Sequence, residues 1–285
     1  MAVVTQPDRP RGRGQKTSQS PVAELAERSG IPVLRPEQVG EPAFVETLRG
    51  FGADLGIVVA FGQFLPKRVR ELPLHGYLIN AHASLLPRHR GAAPIAWAIL
   101  AGDAETGVSV MRVEREMDAG PSAIMRRTPI GAEETSGELT ERLAALAAEA
   151  IAEAVDRVAD DRIVWTPQDD ALATLAPKIT AADTSLDWSD AAAPLARRVR
   201  AMAPRPGAFT TCQGERLRIL AATAVPARCN DAPGTLRIGG DAPLRIATGD
   251  GWLAPRLLQR AGGKLLDVDA FLRGHPLADG ARVGG

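Results

Sequence analysis

The stretch NAHASLLPRHRGAAPI, residues 80–95, follows the apolar segment GYLI and turns at once into a rigid, polar corner. An apolar run of this kind, without alternation, is typical of a strand covered on both faces of a parallel sheet. Asn80 and His82 are separated by one residue, so their side chains point to the same face if the strand continues. The stretch therefore predicts a buried strand whose last residues carry polar groups at a loop.

Strand-like and helix-like segments alternate on both sides of this stretch, from residue 1 to about residue 165. The predicted strands are IPVL, ADLGIVVA, GYLINAH, TGVSVMRV and PSAIMRRTPI, and the predicted helices are PVAELAERSG, EPAFVETLRGFG, PIAWAILAG and GELTERLAALAAEAIAEAVDRVA. This alternation predicts an α/β fold with an open, mostly parallel, Rossmann-like sheet. The continuous apolar run ADLGIVVA predicts a buried parallel strand. Because such sheets bind ligands at the carboxyl ends of their strands, the loops of VVAFGQFLP and LINAHASLLP are the first candidates for a site.

The character of the sequence changes after residue 165. Residues 166–184 are polar and contain prolines, which predicts a linker. Residues 185–285 contain a helix and then short strands separated by Gly and Asp turns, which favours a small β-barrel or a sandwich, and we expect the barrel. We therefore expect a first domain over 1–165, a linker over 166–184 and a second domain over 185–285.

Composition excludes several classes of protein. The 34 Lys and Arg balance the 34 Asp and Glu, so no overall field attracts nucleic acid or membrane. Aromatic residues make up 4% of the chain, which argues against a base-stacking platform. No apolar run approaches ~18 residues, so no membrane span is predicted. Cys212 and Cys229 lack metal-ligand spacing and a disulfide framework, which favours a reducing cytoplasm.

Three polar residues suggest a reaction at the strand ends. The Asn80 amide and a protonated His82 are both donors, which suits an oxyanion formed between them. Asp118, in the loop EREMDAGP, could pair with the imidazole and fix its tautomer. The chain has no G-x-S-x-G elbow and no zinc-type histidine spacing, so no metal site is predicted. The residues alone equally allow His82 to be a hydrogen-bonded turn histidine and Asp118 to be a cap.

The segment from residue 80 to residue 121 resembles the folate-dependent formyltransferases over its whole length. The shared features are Asn-x-His, Ser-Leu-Leu-Pro, Arg-Gly, Pro, Thr-Gly-Val and Asp-x-Gly, which here are Asn80, His82, Ser84–Pro87, Arg90, Gly91, Pro94, Thr106–Val108, Asp118 and Gly120. The resemblance implies formyl transfer from 10-formyltetrahydrofolate to an amine, without a metal. Asn80 and His82 would stabilise the tetrahedral oxyanion, and Asp118 would orient His82 and help to move protons.

The same resemblance implies two groups of folate-contacting residues. The turn after the predicted strand contributes Ser84, Leu85, Leu86 and Pro87, and the pterin-side loop contributes Gln63, Phe64 and Leu65.

The basic segment TQPDRPRGRGQKTSQSPV, residues 5–22, resembles the loop with which methionyl-tRNA formyltransferases reach the acceptor stem of the tRNA. The expected phosphate contacts are Arg9, Arg11, Arg13 and Lys16, and Arg13 falls at the position of the family's critical arginine. Taken alone, a Gly-rich basic segment equally fits a solvated loop. Its composition predicts disorder in the absence of tRNA.

The C-terminal part resembles the same family in residues 183–208 and in APGTLRI and IATGDG. The resemblance implies an oligonucleotide-binding-like barrel that holds the tRNA. Members of the family begin earlier, with a strand, a Gly-Thr-Pro turn and a helix, so we expect an exposed strand edge here.

Two alternatives stay open from the sequence. One is a formyltransferase that acts on a small amine or a nucleotide sugar. The other is a truncated, inactive chain that retains RNA binding. We expect a cytoplasmic monomer with initiator methionyl-tRNA and folate as its partners and with no membrane association.

Overall fold

The computed structural model describes residues 1–11 and 16–284, and the chain divides into two compact units. Unit 1 comprises Met1–His82, Ser109–Met125 and Ala150–Ala171. Unit 2 comprises Ala83–Val108, Arg126–Glu149 and the chain from Leu172 onward. The predicted domain limits at residues 165 and 184 stay a prediction.

Unit 1 is the α/β part of the molecule. Its elements are β1 (Val3–Val4), β2 (Arg9–Arg11), β3 (Lys16–Ser18), α1 (Pro21–Arg28), β4 (Val33–Leu34), α2 (Pro42–Arg49), β5 (Gly56–Val58), α3 (Lys67–Arg70) and β6 (Leu78–His82). Three further elements pass from one unit to the other: β7 (Glu105–Arg112), β8 (Ser122–Pro129) and α5 (Ser136–Ala159). The strand order β5-β6-β7-β8 has β5 parallel to β6 and β7 antiparallel to it, so the described sheet is mixed.

Local sequence explains where the helices begin and end. The Ser20 side chain accepts a hydrogen bond from the Ala23 backbone N–H at 3.1 Å, and Pro21 fills the first helical position of α1. In unit 2, α4 (Pro94–Ala101) ends at Gly102, whose φ of +76° is the left-handed conformation that a helix end favours. Both boundaries thus follow from the local sequence.

The strand β5 lies at an edge of its sheet. A buried parallel strand was predicted here, and β5 is parallel to β6, but Ile57 is 49% exposed and Val59, just beyond the strand, is 60% exposed. Val58 packs instead against the cluster of Val39, Val45, Val69 and Leu78. No described strand pairs with the other side of β5, because β1 and β4 form a separate two-stranded parallel sheet. The prediction of burial is therefore wrong for this strand.

The basic segment contains a strand pair where a disordered loop was predicted. Strands β2 and β3 are antiparallel, with Arg9 opposite Ser18 and Arg11 opposite Lys16. Such pairing satisfies backbone N–H and C=O groups whatever the side chains are, so a polar composition does not prevent it. Residues 12–15, which include Arg13, lie outside the described residues.

Unit 2 contains the antiparallel sheet and the helices that flank it in sequence. Besides α4, its elements are α6 (Ala192–Met202), β9 (Ala208–Cys212), β10 (Glu215–Val225), β11 (Leu236–Ile238), β12 (Leu244–Ala247), β13 (Trp252–Arg260), β14 (Leu266–Asp267) and α7 (Val268–Gly274). The antiparallel sheet has the order β11-β12-β13-β10-β9, with β14 paired to β13. Short 3₁₀ turns occupy Asp170–Leu172 and Ala182–Thr184.

The C-terminal segment connects the two edges of this sheet. The Val283 N–H donates to the Gly234 carbonyl beside β11, and the Gly284 N–H donates to the Thr211 carbonyl in β9, both at 2.9 Å. The same segment therefore provides a backbone partner near both outermost strands of this antiparallel sheet. In the described part of the chain, no helix is long and apolar enough to cross a membrane.

Candidate active site

Asn80 and His82 lie at the end of β6, as the sequence predicted. Asn80 is in register with Met111 and His82 with Ser109 of the neighbouring β7. Since side chains alternate along a strand, Asn80 and His82 share one face of the sheet. The His82 side chain is 6% exposed, so its ring is held by its surroundings.

Asp118 faces the imidazole of His82. The distance from His82 Nδ1 to Asp118 Oδ2 is 3.5 Å, and the Asp118 side chain is 16% exposed. A carboxylate on this side fixes the orientation of the ring, and a ring protonated at both nitrogens then has Nε2–H as a second donor. The structure thus brings together the two partners that the sequence paired, and the catalytic roles of all three residues stay predictions.

The loop that carries Asp118 has a demanding backbone. Asp118 has a φ of +53°, in the left-handed region that residues other than glycine rarely occupy. Two residues later, a Cβ on Gly120 would lie 2.0 Å from the Arg112 carbonyl oxygen, so only glycine fits. The Arg112 N–H also donates to the Pro121 carbonyl at 3.0 Å. The glycine of the Asp-x-Gly pattern is therefore required by this close backbone crossing.

The Ser84–Pro87 turn belongs to unit 2 and is packed into it. Ser84 and Leu86 are buried, and the Ser84 hydroxyl donates to the Arg88 carbonyl at 2.6 Å. The Leu86–Pro87 peptide bond is cis. Ser84 thus shapes the turn, and the folate contact expected of Ser84, Leu85, Leu86 and Pro87 stays a prediction.

Backbone from the predicted linker pairs with the next part of this loop. The Arg90 N–H donates to the Thr174 carbonyl at 2.8 Å, and the Ala176 N–H donates to the Arg90 carbonyl at 2.7 Å. Gly91, with a φ of +128°, has room for no side chain, because a Cβ would lie 2.5 Å from the Ala176 carbonyl oxygen. Part of the predicted linker is therefore held by backbone hydrogen bonds against the Arg90–Gly91 segment.

The Asp103 carboxylate holds the same loop from another side. Asp103 accepts hydrogen bonds from Arg88 Nη2 at 2.6 Å and from His89 Nε2 at 2.7 Å. Burial by itself would raise the pKa of Asp103, but the hydrogen bonds from Arg88 and His89 outweigh it and hold this pKa below its usual value. The carboxylate is thus kept charged between its two partners.

The predicted pterin-side loop divides into residues with different surroundings. Gln63 Oε1 accepts from the Val39 N–H at 2.9 Å, and Gln63 Nε2 donates to the Pro36 carbonyl at 3.3 Å. Leu65 packs on the unit 1 core, whereas Phe64 is 72% exposed. Gln63 and Leu65 therefore support the loop, and Phe64 is the member that presents its side chain to solvent.

The predicted tRNA-contacting residues are only partly described. Arg9 is exposed at the start of β2. For Arg11 and Lys16 the backbone alone is described, and Arg13 lies outside the described residues. Among the residues that the structure describes, no group of three His, Cys, Asp or Glu side chains could hold a metal ion.

Two family models match the chain. "Formyl transferase" matches residues 1–155, and "Formyl transferase, C-terminal domain" matches residues 178–276. The α/β unit, the antiparallel sheet and the strand-end polar residues thus define a formyl transferase.

Full-length relatives narrow the class further. A methionyl-tRNA formyltransferase from Citrifermentans bemidjiense is 43% identical over 284 residues, which cover 100% of this chain and 88% of the relative. One from Xanthomonas euvesicatoria pv. vesicatoria is 46% identical over 273 residues, covering 95% of this chain and 89% of the relative. The chain belongs to the methionyl-tRNA formyltransferase family.

A solved structure shares the fold at low identity. WlaRD, a sugar 3N-formyl transferase determined in the presence of dTDP and 5-N-formyl-THF, superposes with a TM-score of 0.65 and 14% identity. The match covers 92% of this chain and 88% of that protein. At this identity the similarity concerns the fold alone.

Sequence reasoning missed three residues that hold the loops of the site. Asp103 accepts hydrogen bonds from Arg88 and His89, and the Thr174 hydroxyl accepts from the His89 N–H at 2.8 Å. Gln168 donates to the loop of Asp118. Gln168 and Thr174 fall in a polar, proline-containing stretch, and nothing in that stretch indicates which distant backbone groups they bind.

Proposed function

We propose that this chain transfers the formyl group of 10-formyltetrahydrofolate to the α-amino group of initiator methionyl-tRNA. The observation that carries the proposal is the full-length match to methionyl-tRNA formyltransferases at 43% identity. The pairing of His82 with Asp118 beside Asn80 supports it, because those residues offer the groups that the reaction needs.

The reaction requires charge stabilisation more than a protein nucleophile. The neutral amine attacks the formyl carbon, a tetrahedral intermediate forms, and the bond from that carbon to N10 of the folate breaks. The amine loses a proton and N10 gains one. In this scheme Asn80 and His82 donate to the oxygen that becomes negative, and Asp118 orients His82 and helps to carry the proton. Losing one such donor typically costs about 2.7–4 kcal/mol of transition-state stabilisation.

Substrate binding is assigned to the loops around these strand ends. For the folate we propose the contacts that the family resemblance implies, namely Ser84–Pro87 and, as a separate assignment, Gln63, Phe64 and Leu65. The tRNA is held by the basic segment at Arg9, Arg11, Arg13 and Lys16 and by the antiparallel sheet of unit 2. Phosphate contacts of this kind make binding depend on salt. We also propose that the protein is a monomer located in the cytoplasm.

The direct test is a formylation assay that compares acceptors. Purified protein is incubated with 10-formyltetrahydrofolate and either initiator methionyl-tRNA, elongator methionyl-tRNA or a dTDP-linked amino sugar. We expect formyl-methionyl-tRNA from the initiator substrate and no formylated sugar. If only the sugar is formylated, the acceptor is an amino sugar and not methionyl-tRNA. If the protein binds tRNA but formylates no acceptor, it is an inactive RNA-binding chain.

A further inference from the structure

The Gln168 side chain lies across the backbone of the loop that carries Asp118. Its Nε2 donates to the Asp118 carbonyl at 2.8 Å and to the Gly120 carbonyl at 2.7 Å. A carboxamide nitrogen has two hydrogens, so both are used on these two carbonyls. One side chain therefore binds both ends of a turn whose Asp118 has a φ of +53°.

The segment around Gln168 is itself fixed within unit 1. Thr166 and Ser122 exchange two backbone hydrogen bonds of 2.9 Å. The Trp165 ring packs edge-on against Tyr77, with a centroid distance of 5.6 Å, and lies 4.8 Å from the Arg112 guanidinium carbon. Gln168 is thus presented to the loop by a braced piece of chain.

We propose that Gln168 is a positioning residue for the reaction: its amide holds Asp118 in the left-handed conformation from which the carboxylate faces His82. Both hydrogen bonds described for Gln168 go to the backbone of this loop, so its proposed role is exercised through Asp118. The inference rests on the proposed function for its activity readout, and it has a second readout that needs no activity.

The side-chain chemistry makes the proposal specific. Glutamate has the same length as glutamine, but an ionised carboxylate has no hydrogen to donate and would face two carbonyl oxygens. Asparagine keeps the donors and is one methylene shorter. Misplacing a catalytic group by about 1 Å can reduce the rate roughly a hundredfold. We therefore expect Gln168→Glu at neutral pH to be the most damaging of the single changes, followed by Gln168→Ala.

The activity experiment is a double-mutant cycle on kcat for initiator methionyl-tRNA. Gln168→Ala should lower kcat about ten- to a hundredfold, with little change in KM for the folate, since a displaced Asp118 affects the transition state. In an Asp118→Asn background the same change should cause little further loss, because the two residues act as one unit. The control is Gln38→Ala, the same chemical change at an exposed position, which should leave kcat unaltered.

The independent readout is the NMR spectrum of the His82 ring in the full chain with 13C-labelled histidine. The chain has four histidines, so the His82 signal can be assigned by its loss in His82→Ala. In Gln168→Ala the His82 ring signals should move toward their positions in Asp118→Asn, while those of the other three stay in place.

Three outcomes would overturn the proposal. The first is an equal loss of kcat from Gln168→Ala in the unaltered protein and in Asp118→Asn. The second is a loss of kcat that a lower fraction of folded protein fully accounts for. The third is a spectrum of Gln168→Ala in which the His82 ring signals have not moved. Absence of formylation by the unaltered protein would instead contradict the proposed function, and the NMR comparison would still decide the role of Gln168.

Discussion

The side chains of the candidate site separate into those proposed to face the reaction and those that hold the surrounding backbone. Asn80 and His82 share a strand face, and Asp118 is 3.5 Å from the His82 ring. Gln168 and Asp103 bind backbone or charged groups of the surrounding loops. This division predicts that changes in the first group affect turnover and that changes in Asp103 affect the stability of the fold.

Replacement of His82 by alanine should lower kcat on the order of a hundred- to a thousandfold, because one donor to the developing oxyanion is lost. Folate affinity should change little, since the donor is needed in the transition state rather than in the ground state. Single-turnover kinetics and equilibrium folate binding separate the two quantities. Equal losses of both, or normal turnover, would remove His82 from the mechanism, and Asn80→Ala should behave like His82→Ala.

Replacement of Asp103 by asparagine should destabilise the protein at neutral pH and much less in acid. The pKa of folded Asp103 is below its ordinary value of 3.8, since the hydrogen bonds from Arg88 and His89 outweigh the effect of burial. The stability that the carboxylate contributes is therefore present above that value and is lost as the pH falls through the folded pKa. We expect a loss of roughly 1–2 kcal/mol, because Arg88 is partly solvated.

Urea unfolding of both proteins at neutral pH and at about pH 3 checks the effect of Asp103. A difference of the same size at the two pH values would show that packing, and not charge, is what Asp103→Asn removes.

At the scale of elements, backbone hydrogen bonds between strands and loops determine which segments are held in place and which are left exposed. The Asp118 loop crosses the Arg112 backbone at Gly120, and the Arg90–Gly91 segment pairs with Thr174–Ala176. These crossings use close backbone approach, so glycine is required at Gly91 and Gly120. By contrast β5 has one partner strand among the described residues and leaves apolar side chains exposed. Exposed edges of this kind favour association between chains.

Replacement of Val59 by lysine should reduce concentration-dependent association without lowering the melting temperature. Val59 is 60% exposed beside the β5 edge, so little buried area is lost and a charge is gained where another chain would approach. Light scattering against concentration, with thermal unfolding of the same samples, measures both effects. The matched variant is Val58→Lys, which should unfold at lower temperature because Val58 packs on the core cluster. Unchanged scattering by Val59→Lys would exclude this edge as the site of association.

At the scale of the whole molecule, zero net charge means that attraction to tRNA must be local. The basic segment supplies Arg9, Arg11, Arg13 and Lys16 within a short stretch, and strands β2 and β3 bring Arg11 opposite Lys16 along the backbone. The same segment is therefore the place where salt dependence and tRNA selectivity can be tested.

Replacement of Arg9 by alanine should weaken initiator and elongator tRNA alike and lower the salt slope of binding by about one unit. Arg13→Ala should cost more for the initiator than for the elongator tRNA, as the family resemblance implies. Formylation kinetics with both tRNAs at two salt concentrations distinguish these effects. If both variants retain normal kinetics, the segment is a solvated connection and tRNA binding depends on unit 2.

The sequence by itself determined the order of strands and helices around the site and the residues at the strand ends. Asn80 and His82 were predictable because alternation along one strand is a local property. The strand pair β2–β3 and the short helix α7 were not predicted, since a polar hairpin and a seven-residue helix leave little periodic signal.

Only the tertiary structure decided which distant groups hold the loops of the candidate site. Gln168 reaches carbonyls 50 and 48 residues away, and Thr174 reaches a backbone N–H 85 residues away. Hydrogen bonds to backbone depend on where a carbonyl or N–H lies and not on which residue carries it, so no residue type marks the partner in the sequence. The exposure of β5 was likewise decided by its neighbours in the folded sheet. Its apolar composition indicated a strand, but the sequence does not mark how many strands lie beside it.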